Sequence, residues 1–220
     1  MVKKGTITKT GDWEKTDHLL SSLDSIAKAN IRVTLKSCAE MMRREIRKKL
    51  KWGDSKWDRL APVTSRRKGK DSPLFDSGQL RDAITVLLFG KNIYWVGVPE
   101  TAKNRDGVNL AMITQVMEDG KLIRPKRTKH LVIPVTRQAA RLARQYGGAA
   151  KIPGLFKPKG KDVLVKKAGK RGIRVLFILV KKVRIPKRSF IESTFKEQKS
   201  KIVARIDKAL VLATKGVRIV

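Results

Sequence analysis

The chain has 220 residues, 41% of them apolar, enough to build one ordinary domain with a real core, and its 5% aromatic content leaves that core to Val, Ile and Leu. The net charge of +33 calls for a polyanionic neighbour: nucleic acid, an acidic membrane or an acidic protein face. One cysteine, Cys38, rules out an intrachain disulfide, and no apolar run approaches the roughly 20 residues of a membrane helix.

The charge is uneven. Residues 1–120 carry 23 Lys+Arg and 15 Asp+Glu, a balance of +8; residues 121–220 carry 29 and 4, a balance of +25. The N-terminal MVKKGTITKTGDWEK lacks the apolar stretch of a signal peptide, and together with the single cysteine this points to a reducing cytoplasm.

In chain order, residues 1–16 read as an N-terminal arm, irregular or forming a short strand. From Asp17 to Lys51 the apolar residues recur at helical spacing: Leu19, Leu20, Leu23, Ile26 and Ala27, then Leu35, Cys38, Met42, Ile46 and Leu50. Asn30–Val33 blurs the phase, so one long helix or two with a bend fit the pattern, one long helix with a basic end being favoured; Cys38 falls in its apolar stripe as a small core residue. Residues 53–71 read as a polar loop, mobile across Ser65–Lys70, with Trp52 and Trp57 either pinning it to the core or stacking on bases. A short helix over Gln79–Ala83, capped by Asp76 or Ser77, precedes two strands, Thr85–Phe89 and Ile93–Val98. Gly90-Lys91-Asn92 joins those strands as a hairpin.

After a loop at Pro99–Asn109, Leu110–Met117 reads as a helix stopped by Gly120. His130–Val135 is a strand, Arg137–Tyr146 an alanine-rich helix, residues 147–161 a Pro/Gly-rich loop and Asp162–Val165 a short strand. Six apolar residues, Val175–Val180, begin the strand on which the rest is organised; it ends at Pro186, which has no N–H to continue a ladder. Phe190, Ile191, Phe195, Ile202, Ile206, Ala209, Leu210 and Ala213 then mark a C-terminal amphipathic helix expected to pack on the sheet. The sum is a single α+β domain over residues 1–220, a small, mostly antiparallel sheet packed by a long N-terminal helix and a C-terminal helix.

Signatures of chemistry are sparse. One Cys and two separated His cannot supply a usual zinc site, and neither a phosphate-binding glycine loop nor a helix-turn-helix spacing is present. Asp71 with Asp76, and Glu118 with Asp119, are the carboxylate pairs a magnesium-dependent nuclease could use; the second pair reads more simply as a helix end. The expectation is a non-enzyme with no metal and no cofactor. Its contact residues toward partner or DNA are Arg124, Lys126, Arg127, Lys129, Lys181, Lys182, Arg184, Lys187 and Arg188, and its architectural residues are Gly78, Leu80, Pro186 and Phe190.

Three stretches resemble the virion-morphogenesis proteins of tailed bacteriophages, which complete tails or join them to heads. SPLFDSGQLRDAI at 72–84 is similar to that family's L-x-x-[ST]-G-x-L-x-x-[SA]-I segment through Leu74, Ser77, Gly78, Leu80, Ala83 and Ile84. LVIPVTRQAARLA at 131–143, followed by Leu155-Phe156, is the second. FILVKKVRIPKRSFIESTF at 177–195 is similar to a strand followed by I-P-x-R-P-F-[LI], with Ser189 in place of the second proline. Gln115–Gly120 stands loosely where the family has a His-Glu-x-Gly-like corner.

The resemblance implies a non-enzymatic subunit of a ring, expected as a hexamer, at the neck or upper tail of a virion. It would assemble in the host cytoplasm. Its partners would be other copies of itself, head-connector and tail-tube or tail-terminator proteins, and, nonspecifically, genomic DNA in the channel. The competing reading from composition alone is a nonspecific, ribosome-like nucleic-acid-binding protein.

Overall fold

The computed structural model describes residues 12–69, 71–126, 128–168 and 172–219, the side chain of Trp13 excepted. The described chain is α+β, with a long N-terminal helix and a C-terminal helix packed together and small antiparallel sheets. Helix α1 spans Trp13–Trp52, α2 Pro62–Lys68, α3 Gln79–Asp82, α4 Leu110–Asp119, α5 Arg137–Gln145 and α6 Ile191–Thr214. The strands are β1 Thr85–Phe89, β2 Ile93–Gly97, β3 Lys121–Ile123, β4 Leu131–Pro134, β5 Leu155–Phe156, β6 Val163–Lys167, β7 Ile173–Val180 and β8 Val183–Ile185. Among the described residues, no helix is long and apolar enough to cross a membrane.

The fold groups into two compact units. The first holds residues up to Arg44, Val86–Val96 and Thr194 onward; the second holds Glu45–Thr85 and Gly97–Ser193. In the first, Cys38, Ala39, Met41 and Met42 of α1 and Ala209 and Ala213 of α6 are buried. Four of these, Cys38, Ala39, Ala209 and Ala213, are small, and Met41 and Met42 add the bulk that fills the packed face.

Asn30 fixes the chain end against this pair. It is fully buried; its side-chain nitrogen donates to the carbonyls of Ala209 (3.3 Å) and Val217 (2.9 Å), and its side-chain oxygen accepts from the amide of Ile219 (2.8 Å). Three of the four hydrogen bonds open to an amide side chain are therefore made inside the protein. At the other end of α1 the apolar stripe is uncovered, with Leu19 and Leu20 exposed.

In the second unit β7 is an inner strand of a four-stranded antiparallel sheet ordered β4-β7-β6-β5, as its unbroken apolar run leads one to expect. Leu131 pairs with Val180 and Pro134 with Phe177. The core against this sheet gathers Leu176 and Phe177 with Ala139 and Leu142 of α5 and with Ile152. The helix packed there is thus α5, an element read from sequence only as alanine-rich.

Three other local readings are revised. The loop at 53–71 contains α2, which opens on Pro62, closes at Gly69 in the left-handed region (φ 69°), and buries no residue; seven residues leave no periodicity to read. Helix α3 is entered from Gly78 at φ 82° without a side-chain cap, so neither Asp76 nor Ser77 plays that part. The organising strand is not continuous to Ile185: β7 stops at Val180, Lys181 and Lys182 are exposed, and β8 pairs with β3 instead. Two consecutive lysines in a strand would point to opposite faces and put one ammonium into the core, so the chain leaves the sheet there.

Replacing Asn30 with Ala should cost about 2–3 kcal/mol in urea denaturation, because it removes three hydrogen bonds at once, one of them to the buried Ala209 carbonyl. A variant ending at Gly216 should lose a similar amount, and the two losses should not add. A second measurement concerns Asp54, whose carboxylate lies 3.1 Å from Lys49 Nζ with both side chains only 12% exposed. Its pKa is held below the ordinary 3.8 by the Lys56 amide and then by Lys49, against the opposing effect of burial. A depressed folded pKa stabilises above the unfolded value and is lost as pH falls through the folded one. Asp54→Asn should therefore cost about 1–2 kcal/mol at neutral pH, the gap to the parent closing as the pH falls below the ordinary 3.8 and through the lower folded pKa.

Candidate functional site

The basic corner begins where β7 ends. Strand β8 pairs antiparallel with β3, Lys121 opposite Ile185, Leu122 opposite Arg184 and Ile123 opposite Val183. This two-stranded ribbon was half missed from sequence: Lys121–Ile123 is too short and too charged at its flanks to show alternation. Lys181, Lys182, Arg184 and Lys187 are exposed, as are Arg124, Lys126 and Lys129 on the segment following β3; Arg127 lies outside the described residues. An open groove of about 630 Å³ runs beside the ribbon, with Lys121, Lys182, Arg184 and Lys187 lining it and Asp119 as its acidic member. Leu122, 48% exposed, adds apolar surface.

Arg188 is not part of that surface. It is buried; its amide donates to the Met117 carbonyl (2.7 Å) and Nη2 to the Asp58 carbonyl (3.0 Å), while Nε has no partner among the described residues. Burial pulls its pKa down, the Asp58 carboxylate pushing the other way. Sequence reading grouped Arg188 with its charged neighbours, because nothing local distinguishes a guanidinium that turns inward to bind a backbone carbonyl.

The four residues expected to be architectural lie as follows. Phe190 is fully buried, Pro186 follows the last residue of β8, and Leu80 is half-buried. A Cβ on Gly78 would meet Arg81 Nη2 at 3.4 Å and Asp82 Oδ2 at 3.5 Å, and φ of 82° already disfavours any side chain there.

The central group of the corner is Glu118. Its Oε1 accepts from the amides of Phe190 and Ile191, both at 2.7 Å, and its Oε2 from Ser189 Oγ (2.9 Å) and the Glu192 amide (3.4 Å). A carboxylate from the last turn of α4 thereby caps α6, meeting amides that have no acceptor within their own helix and facing the positive end of the helix dipole. Two residues later Gly120 passes so close to the corner that a Cβ would stand 2.9 Å from the Lys187 amide nitrogen and 3.2 Å from the Ile185 carbonyl. Its φ of 72° is also one that only glycine adopts without strain. The sequence signal for both residues was present in Glu118-Asp119-Gly120, but reading it as a helix end accounted for the glycine and left the carboxylate idle.

Of the remaining aromatic candidates, Trp52 lies exposed with Lys51 Nζ 4.6 Å from its ring centroid and does not pin the loop, whereas Trp57 is half-buried. Among the described residues no three His, Cys, Asp or Glu side chains gather as a metal would need. Asp71 accepts a short hydrogen bond from Ser65 Oγ, and Glu118 is engaged as described. No family model, curated protein or solved structure matches the chain.

Glu118→Ala should destabilise by about 2–4 kcal/mol, several capping hydrogen bonds being lost at once. It should also raise hydrogen exchange at the Phe190 and Ile191 amides more than at the α1 amides. Gly120→Ala should reproduce that local loosening through the clash with Lys187, at about 1–3 kcal/mol.

Proposed function

We propose that the chain is a structural subunit of a bacteriophage neck or tail-completion ring, working by docking and not by bond cleavage. The observation that carries this reading is the division of labour at the corner. The residues that match the phage family's pattern, Pro186, Arg188 and Phe190, are spent on holding the β8-to-α6 joint, while the cations around them, Lys182, Arg184 and Lys187, are exposed along an open groove. Such a joint presents charge on a rigid mount, as a subunit gripping a neighbouring ring requires.

The other family-like stretches have the same character. Pro134 of the second stretch pairs with Phe177 of the third, and Ala139 enters the core around Phe177. In the first stretch Asp82 is held by Arg81 (2.8 Å) and by Arg47 of α1 (3.1 Å), while Ile84 is buried. Matched residues that serve packing support a shared scaffold. The scaffold would place copies of this chain in a ring, expected as a hexamer, against head-connector and tail-tube or tail-terminator proteins of a virion. Nonspecific nucleic-acid binding is the second reading, favoured by the +33 charge itself.

Light scattering coupled to size exclusion, with negative-stain microscopy of the peak, tests the first reading. Closed rings of uniform diameter are expected, alone or on adding a virion neck preparation. A chain that stays monomeric in both conditions and is missing from purified particles contradicts it.

A further inference from the structure

A second basic feature of the same compact unit is concave. Three arginines of α5, Arg137, Arg141 and Arg144, fall at i, i+4 and i+7 and so share one helix face. They line a cavity of about 360 Å³ together with Arg67 and Lys68 from the last turn of α2 and a single carboxylate, Asp76.

The lining cations divide into two sets. Arg137 is a strut: its Nε donates to the Arg67 carbonyl (3.0 Å) and its Nη2 to the Lys68 carbonyl (2.5 Å), tying the end of α2 to the start of α5. Lys68 Nζ binds the carbonyls of Ser72 and Pro73, at 2.7 and 3.2 Å. Arg144 gives Nη1 to Asp106 at 2.8 Å. The guanidiniums of Arg67 and Arg141, by contrast, make no hydrogen bond or ion pair with any described residue.

We infer that this cavity is an anion site for a phosphodiester of a nucleic-acid backbone, with Arg67 and Arg141 supplying the open guanidinium forks and Arg137 and Lys68 holding the walls. Five cations face two carboxylates here, counting Asp106 beyond the rim, so the site carries net positive charge with donors unsatisfied. A planar guanidinium matches two oxygens of a phosphate at once, and the helical spacing sets successive charges along a line, as a backbone of regularly spaced phosphates needs. A net balance of +25 over residues 121–220 would draw a polymer of high charge density more strongly than the sparse carboxylates of a folded protein face. The site is separate from the corner groove and would act whether or not the chain belongs to a virion.

Fluorescence anisotropy with a short mixed-sequence DNA duplex, titrated at several salt concentrations, reads this directly. The double variant Arg67→Ala/Arg141→Ala removes the two side chains that hold nothing else and should fold normally by circular dichroism. It should weaken binding at least tenfold near physiological salt and flatten the plot of log K against log salt by about 2, close to one unit for each lost phosphate contact. Lys182→Ala/Lys187→Ala, in the corner groove, is the comparison and should flatten the slope less. An unchanged Kd and slope in the Arg67/Arg141 variant overturns the assignment. So does tighter binding of the parent to an acidic peptide of matched charge than to the duplex, or indifference of the parent to the duplex at low salt.

Discussion

The carboxylate of Glu118 is the constraint on which the basic corner depends. A 24-residue helix starting directly after a proline-marked corner presents a row of amides without acceptors, and the corner's own residues, Lys187, Arg188 and Ser189, offer no carboxylate to meet them. The solution comes from about 70 residues away, at the end of α4. The cap is tertiary: the first amides of α6 are met by a side chain of α4. The contact therefore joins the end of α4 to the start of α6, beside the ribbon that β3 and β8 form by their own pairing.

Gly120 and Arg188 complete the joint from either side. Gly120 lets the chain leave α4 and enter β3 within van der Waals distance of the Lys187 backbone, and Arg188 reaches back to the Asp58 carbonyl with its own amide on Met117. The burial of one guanidinium in so basic a segment is costly unless its donors are used, and the backbone carbonyl supplies part of that compensation. With the joint built in this way, Lys187 keeps one weak ion pair to Glu192 (3.4 Å) while Lys181, Lys182 and Arg184 stand exposed, where an anionic partner could meet them. The α2–α5 cavity repeats the arrangement with different parts: some arginines hold the wall, and others are left open.

Most of the elements were legible in the sequence. The spacing of Cys38, Met42, Ile46 and Leu50, the hairpin around Gly90 and the central run at Val175–Val180 each follow from local periodicity or from the backbone limits of Gly, and all appear in the structure; Pro186 ends β8, not the central strand. What failed was short or non-local. Helix α2 buries nothing and β3 has three residues, so neither leaves a pattern. The break at Lys181-Lys182 was written in the charges, but apolar residues on both sides disguised it.

The candidate site divides along the same line. The sequence by itself determined that the chain is strongly basic, that its cations crowd the second half, and that a β-strand, a proline and a buried Phe190 would form a corner among them; these are consequences of composition and of near-neighbour sterics. Only the tertiary structure decided that Arg188 turns inward, that Glu118 caps a helix it does not belong to, and that arginines from α2 and α5 close around one cavity. Each of those is a contact between residues tens of positions apart. A charged side chain carries no local mark of whether it will face water, a backbone carbonyl or a neighbour's helix end.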